Sequence, residues 1–418
     1  MHVVVIGAGI VGAVSAVELL RDGHAVTIVE PGPPGGEQAA SYGNGCWLSP
    51  SSVLPVSSPG LWRKVPGWLA DPLGPLAIRW TYLPKVLPWL IRFLRAGATW
   101  ERVRAVAPAL RALVVGCPER HAALAEEAGV GHLVRRGGLL YPFPSRAEFE
   151  AEREAWAIRR EQGITWTELD ANELHQREPA LSRRYTFGVH VHEGGHCIDP
   201  GAYVAALVAL AEARGAKLVR AKAEALEIAS GRLQAVRTSA GPIACDRAVI
   251  AAGAWSKQLA AQAGDRVMLE TERGYHALIL DAQTGPRTPM IPSDGKMSNV
   301  MTPQGLRIAG QVEIAGLAAA PNWKRAEVLR DYALATWPEL PRDLPAERVK
   351  VWMGHRPSTP DGLPVIGPAS GCADVVHAYG HGHIGLAAGA TTGRLVADIV
   401  SGTPPLIDPA PYSPARFR

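Results

Sequence analysis

The chain has 418 residues, 47% hydrophobic and 20% charged, a globular composition with length enough for two domains. A net charge of +4 is small for this size, and no block of like charges supports a nucleic-acid partner. The five cysteines (Cys46, Cys117, Cys197, Cys245, Cys372) are scattered with no C-x-x-C pair, and no uninterrupted apolar run reaches the ~18 residues of a membrane span. Reduced thiols and a cytoplasmic location are the expectation.

His2 to Ile6 is a β-branched apolar run suited to a parallel strand buried on both faces. Gly7, Gly9 and Gly12 follow in the G-x-G-x-x-G spacing and open an apolar helix over Ile10 to Leu20. Gly7 permits the turn, Gly9 lets a pyrophosphate approach, and Gly12 brings helix against strand. The free N–H groups at the helix start, Ile10 and Val11, then meet the phosphates. A second strand, Ala25 to Val29, ends on Glu30, placed to accept hydrogen bonds from an adenosine ribose without a 2′-phosphate. The unit predicts FAD or NAD, not NADP.

Residues 31–50 are a Gly/Pro-rich loop beside the dinucleotide, in which Ser41 could bond a phosphate and Asn44 with Gly45 could approach the rest of the cofactor. The stretch 59–100 carries five of the twelve tryptophans, interleaved with Arg63, Lys64, Arg79, Lys85, Arg92 and Arg95 against one acid, Asp71. Prolines break it into short helices expected to pack on a substrate domain. Peripheral contact with an anionic membrane is the alternative. A helical period returns over Ala105 to Glu127, a strand pair over Leu133 to Tyr141, and a charged helix over Arg146 to Gln162.

His192-Glu193-Gly194-Gly195-His196 is formally H-E-x-x-H, but two adjacent glycines at ~1 kcal/mol each disfavour the helix that zinc chemistry needs. A strand and turn are expected, with a helix over Pro200 to Arg214 capped by Asp199. Lys217 to Ala251 reads as three strands, the last ending on Ala251-Ala252-Gly253-Ala254-Trp255, small residues at the strand end where ligands sit in doubly wound sheets.

The glycine motif, Glu30, the Ser41–Gly45 loop, the 251–255 segment and the C-terminal stretches GHRPSTPDGLPVIGP (354–368) and HAYGHGHIGLAAGATTGRLVADIVSG (377–402) together resemble the FAD-dependent D-amino acid oxidase/dehydrogenase family along the whole chain. Bacterial D-amino acid dehydrogenases are the nearest group, with those acting on D-hydroxyproline close by. The resemblance implies an α/β fold: a discontinuous FAD-binding Rossmann-like domain (1–58, 190–265, 348–418) and an inserted α+β substrate domain with a mixed or antiparallel sheet (59–189, 266–347). It implies that Ala223 meets the adenine side, that Ala252, Gly253 and Trp255 border the cofactor, and that Gly380, Gly382, His383, Ile384, Gly385 and Leu386 face the flavin pyrimidine. That last segment, a glycine turn before an Ala/Leu helix, could stabilise negative charge on a reduced flavin. His381 and His383 as metal ligands would lack a third partner, so no metal is expected.

Arg356 is the expected substrate anchor, a guanidinium able to hold a carboxylate bidentately, and the G-x-R-P match supports it. Pairing with Asp361 is the alternative. Tyr275 and His276 fall on opposite faces of a strand over 270–278, so at most one faces the pocket. The resemblance favours Tyr275, with His276 and His355 as residues that could tune the substrate. The implied reaction is oxidative deamination of D-amino acids, cyclic ones such as D-proline or D-hydroxyproline included, by hydride transfer from the α-carbon to N5 of non-covalent FAD. A glycine/sarcosine-type oxidase and a non-catalytic flavin-binding subunit are the alternatives. Oxygen, a quinone or a partner protein remains open as electron acceptor.

Overall fold

The computed structural model describes residues 1–418, except the side chain of Trp68. A six-stranded sheet runs in the order Lys217–Val219, Ala25–Val29, His2–Ile6, Arg247–Ile250, Val375–Tyr379, Val365–Pro368. All neighbours pair in parallel except the last two, which are antiparallel. His2–Ile6 lies near the middle, and its alternate residues feed two cores. Val3 and Val5 pack under the helices Ile10–Arg21, Pro200–Ala213 and Gly385–Ser401, whereas Val4 and Ile6 pack toward a small sheet of Ala223–Ala229, Arg232–Thr238 and Gly241–Ala244. A continuous β-branched run is what a strand covered on both faces requires.

The second large sheet is antiparallel, in the order Ser298–Thr302, Gly305–Ile314, Glu270–Leu280, Val349–Ser358, with Leu76–Ile78 added in parallel beside Val312–Ile314. Its far face buries Tyr275, Ala277 and Ile279 against the helix Lys324–Thr336. A three-stranded sheet of Leu139–Phe143, Phe187–Val191 and Trp166–Leu169 continues this region.

Several boundaries differ from the sequence reading. The period over 105–127 is two helices, Trp100–Val114 and Cys117–Glu127, separated at Gly116, whose φ of +64° no helix continues. The charged helix breaks at Glu152 into Arg146–Ala151 and Arg153–Glu161. Five strands, not three, occupy 217–250, because Lys217–Val219 joins the parallel sheet before the small antiparallel sheet begins. Arg356 lies inside a strand, since Val349–Ser358 pairs with Glu270–Leu280 through Ser358.

The H-E-x-x-H segment is a turn between strands: His192 bonds Thr167 Oγ1 at 2.8 Å and Glu193 pairs with Arg111 at 3.0 Å. Within 59–100 the main helix is Leu83–Ala96, which buries Val86, Trp89, Leu90 and Phe93, with Trp89 stacked on Phe93. Among the described residues no helix is long and apolar enough to cross a membrane.

Candidate active site

One cavity of about 920 Å³ runs between the two large sheets, and its two ends are built differently. At the first end lie Gly7, Gly9, Ile10, Val11 and Glu30. Gly7 takes φ +104°, and a Cβ there would collide with the Ala251 carbonyl. A Cβ at Gly12 would overlap the Gly7 carbonyl, so Gly12 packs helix on strand and does not itself line the cavity. The buried Glu30 carboxylate accepts from the Ala8 N–H at 2.9 Å and the Gly32 N–H at 3.1 Å. Ser41 Oγ accepts from the Ile10 N–H at 3.0 Å, which fixes the hydroxyl at the helix start and leaves its own proton to donate.

Asn44, Gly45, Ala223, Ala252, Gly253, Trp255, Gly382, His383, Gly385 and Leu386 also line this cavity. Two residues of the same expectation do not. Gly380 turns the chain at φ +88° against Thr359, and Ile384 points into the apolar core beneath the helix. His381 lines the cavity instead, its Nε2 bonded to Thr392 Oγ1 at 3.0 Å and its pKa pushed down by burial to about 3. His383 Nε2 lies 2.9 Å from Glu272 Oε2.

The second end is made by the antiparallel sheet. Arg356 sits opposite Glu272 in register and donates from Nη1 to the Gln311 carbonyl at 3.1 Å. It has no carboxylate partner among the described residues, because Asp361 pairs with Arg416 at 2.8 Å. Burial lowers the Arg356 pKa from its ordinary value, and Glu272 partly offsets that. Burial raises the Glu272 pKa, but its bond to His383 and the charges of His383 and Arg356 outweigh this, and the net shift is downward. A half-buried guanidinium with free N–H groups at the wall of a cavity suits a carboxylate ligand.

Space for that guanidinium comes from Gly274, where a Cβ would overlap Arg356 Cζ. Here two expectations are corrected. Tyr275 does not face the cavity: its hydroxyl donates to Glu313 Oε2 at 2.6 Å and accepts from the Asn322 N–H at 3.1 Å on the far side of the sheet. Strand alternation puts it there, opposite Gly274. His276 shares the Gly274 face but lies under the 42–44 loop, stacked on Trp352 at 5.2 Å with Nδ1 at 3.3 Å from the Gly43 carbonyl, so it lines nothing. Burial lowers its pKa to about 3. His355 does line the cavity, bonded to Thr271 Oγ1 at 2.9 Å and edge-on to Trp255. Burial takes its pKa to about 4, which leaves it neutral at pH 7.

Sequence reasoning missed Gln311 and Glu272. Gln311 takes φ +61°, is buried, lines the cavity and has an unpartnered side-chain oxygen. A bulge between Arg273 and Tyr275 in the pairing with Gly305–Ile314 accompanies it, and nothing in the local sequence signals a bulge. Glu272 was legible as an acid two residues from Gly274 on the same face.

A glycine cradle, a buried acid at the end of the second strand and a long cavity across the carboxyl ends of parallel strands together fit a flavin dinucleotide. The only thiol in the adjoining loop, Cys46, is fully buried, does not line the cavity and has its pKa raised by burial.

The comparisons agree with this geometry. A family model described as FAD dependent oxidoreductase matches residues 2–399. A D-amino-acid oxidase of Bradyrhizobium diazoefficiens is 59% identical over 416 residues, covering 100% of this chain and 99% of the relative. Among solved structures, glycine oxidase from Geobacillus kaustophilus is similar with a TM-score of 0.72 at 23% identity, covering 98% of this chain and 97% of that one. L-proline dehydrogenase from P. horikoshii has a TM-score of 0.73 at 21% identity, covering 100% and 97%. Those two share the fold. Matched over nearly its whole length, the chain belongs to the family of FAD-dependent oxidoreductases.

Proposed function

We propose that the protein catalyses oxidative deamination of D-amino acids with non-covalently held FAD. The observation that carries this reading is Arg356, a cation at the sheet end of the cavity without a carboxylate partner among the described residues. Its fork holds the substrate carboxylate, and Gln311 beside it offers a polar side chain to the same ligand. FAD, when bound, supplies the acceptor at N5 for the hydride that leaves the α-carbon. His355 and His381 are both neutral at pH 7, and the substrate enters the step as the free amine, its ammonium proton having passed to water. No side-chain base is needed, because the nitrogen lone pair expels the hydride while the walls orient the carbon and exclude water. The imine of a primary amine then takes up water to give a 2-oxo acid and ammonia, and that of a cyclic substrate opens to an amino 2-oxo acid. The name of the 59%-identical relative supports the D-amino acid class. Anaerobic addition of D-alanine or D-proline to the yellow holoprotein is expected to bleach it; bleaching by N-methylglycine alone would move the reading to a sarcosine-type oxidase, and none by any amine would leave a flavin-binding subunit.

We assign the cofactor domain to 1–58, 190–265 and the segment after Ser358, and the substrate domain to 59–189 and 266–358, moving Val349–Ser358 to the sheet it pairs with. Peripheral membrane contact through 59–100 is favoured by Trp62 and Trp80, 61% and 64% exposed, beside Leu87 and Ile91 and the exposed Arg63, Lys64, Lys85, Arg92 and Arg95. Co-sedimentation with phosphatidylglycerol vesicles but not phosphatidylcholine vesicles is the expected result.

A further inference from the structure

A second cavity of about 260 Å³ adjoins the first, and Trp47, Ser52 and Lys296 belong to the walls of both. A short path leads to it from the substrate anchor. Gln311 accepts from Arg356, the preceding Gly310 packs on Met297, and Met297 follows Lys296.

The side cavity is rich in donors and short of acceptors. Arg159 lies 4.6 Å over the Trp156 ring and spends only two long bonds of 3.3 Å, to the Ser51 and Ala155 carbonyls. Its remaining N–H groups meet no carboxylate among the described residues. Trp156 is 3% exposed, and its indole N–H has no partner; the indole N–H of Trp47 and the Ser293 hydroxyl are unpartnered too. The one acid in the wall, Glu152, is taken by Lys296, whose side chain is 60% exposed on the solvent side. Burial lowers the Arg159 pKa, and Tyr141 and Glu152 partly offset that. A half-buried guanidinium beside unpaired indole donors suits an anion with two acceptor oxygens.

We propose that this side cavity binds a carboxylate, reached through the substrate cavity and held by Arg159 and the Trp156 N–H. The inference rests on the D-amino acid reading only for the case in which the acid is the substrate's own side chain. The same chemistry could come from a separate dicarboxylate, and the experiment distinguishes the two.

With the FAD-loaded full chain, kcat/KM is measured for D-alanine, D-norvaline, D-glutamate and D-2-aminoadipate, and glutarate is titrated against the visible spectrum of the bound flavin. If the side chain is the source, an acidic substrate outruns D-norvaline, and Arg159→Met lowers its kcat/KM ratio to D-alanine about 30-fold, the size of a charge-assisted bond. If a free acid is the source, glutarate shifts the spectrum and Arg159→Met abolishes the shift. Trp156→Phe removes the N–H together with the pyrrole ring and keeps an aromatic face under Arg159. It should lower the same readout about fivefold, and it carries the test if Arg159→Met does not fold. The proposal is overturned if neither readout responds to either substitution, or if Arg159→Met depresses all four substrates alike. Should D-alanine fail to bleach the flavin, the D-amino acid reading falls while the glutarate titration still decides the cavity.

Discussion

The two ends of the main cavity are built by different means. The end at His2–Ile6 works through backbone: a left-handed glycine, a helix start and a carboxylate fixed by two main-chain N–H groups. The end at the antiparallel sheet works through side chains, Arg356 above all, in space left by Gly274. Backbone donors are indifferent to which residue carries them, so the first end suits a constant cofactor and the second a chosen substrate.

Substitutions at each end should therefore separate cofactor retention from turnover. The largest effect is expected from Arg356→Ala: kcat/KM for a D-amino acid falls about 10³-fold through loss of two charge-assisted bonds, while flavin content is unchanged. Partial recovery in Arg356→Lys would show charge without the fork. Gly274→Ala comes next, at about 10²-fold, since the new methyl displaces the mobile end of Arg356 and leaves the fold intact. A normal melting temperature with lowered kcat/KM checks it; unchanged kinetics would deny Gly274 its place in the comparison.

Glu30→Ala should do the reverse. FAD affinity weakens about 30-fold by loss of one charged acceptor, and turnover at saturating FAD stays near that of the parent. A flavin titration after dialysis measures it. The smallest effect concerns acid stability. His121, His276 and His381 are buried with pKa values near 4, 3 and 3, below the ordinary 6.5. Between pH 6.5 and about 4 the unfolded chain binds protons that the folded one does not. Stability therefore falls as pH drops through that window. The melting temperature should decline there, and His121→Gln should flatten the decline.

Local pattern was enough for the first end, because a β-branched strand, the spacing of Gly7, Gly9 and Gly12, and Glu30 at the next strand end are all fixed by backbone geometry within thirty residues. Arg356 was legible as well, through the residues around it. The positions of Tyr275, His276 and Gln311 were not. Strand alternation says only that Tyr275 and His276 diverge, and it took the loop 42–44, Trp352 and the bulge at Arg273–Tyr275 to decide that neither reaches the cavity. The side cavity at Arg159 was equally beyond the sequence, where that arginine reads as part of a charged helix. Its surroundings arise from segments more than a hundred residues apart meeting in space. Order along the chain determines what the backbone can do alone; which side chains end up facing one another depends on packing between distant elements, and that only the tertiary structure decided.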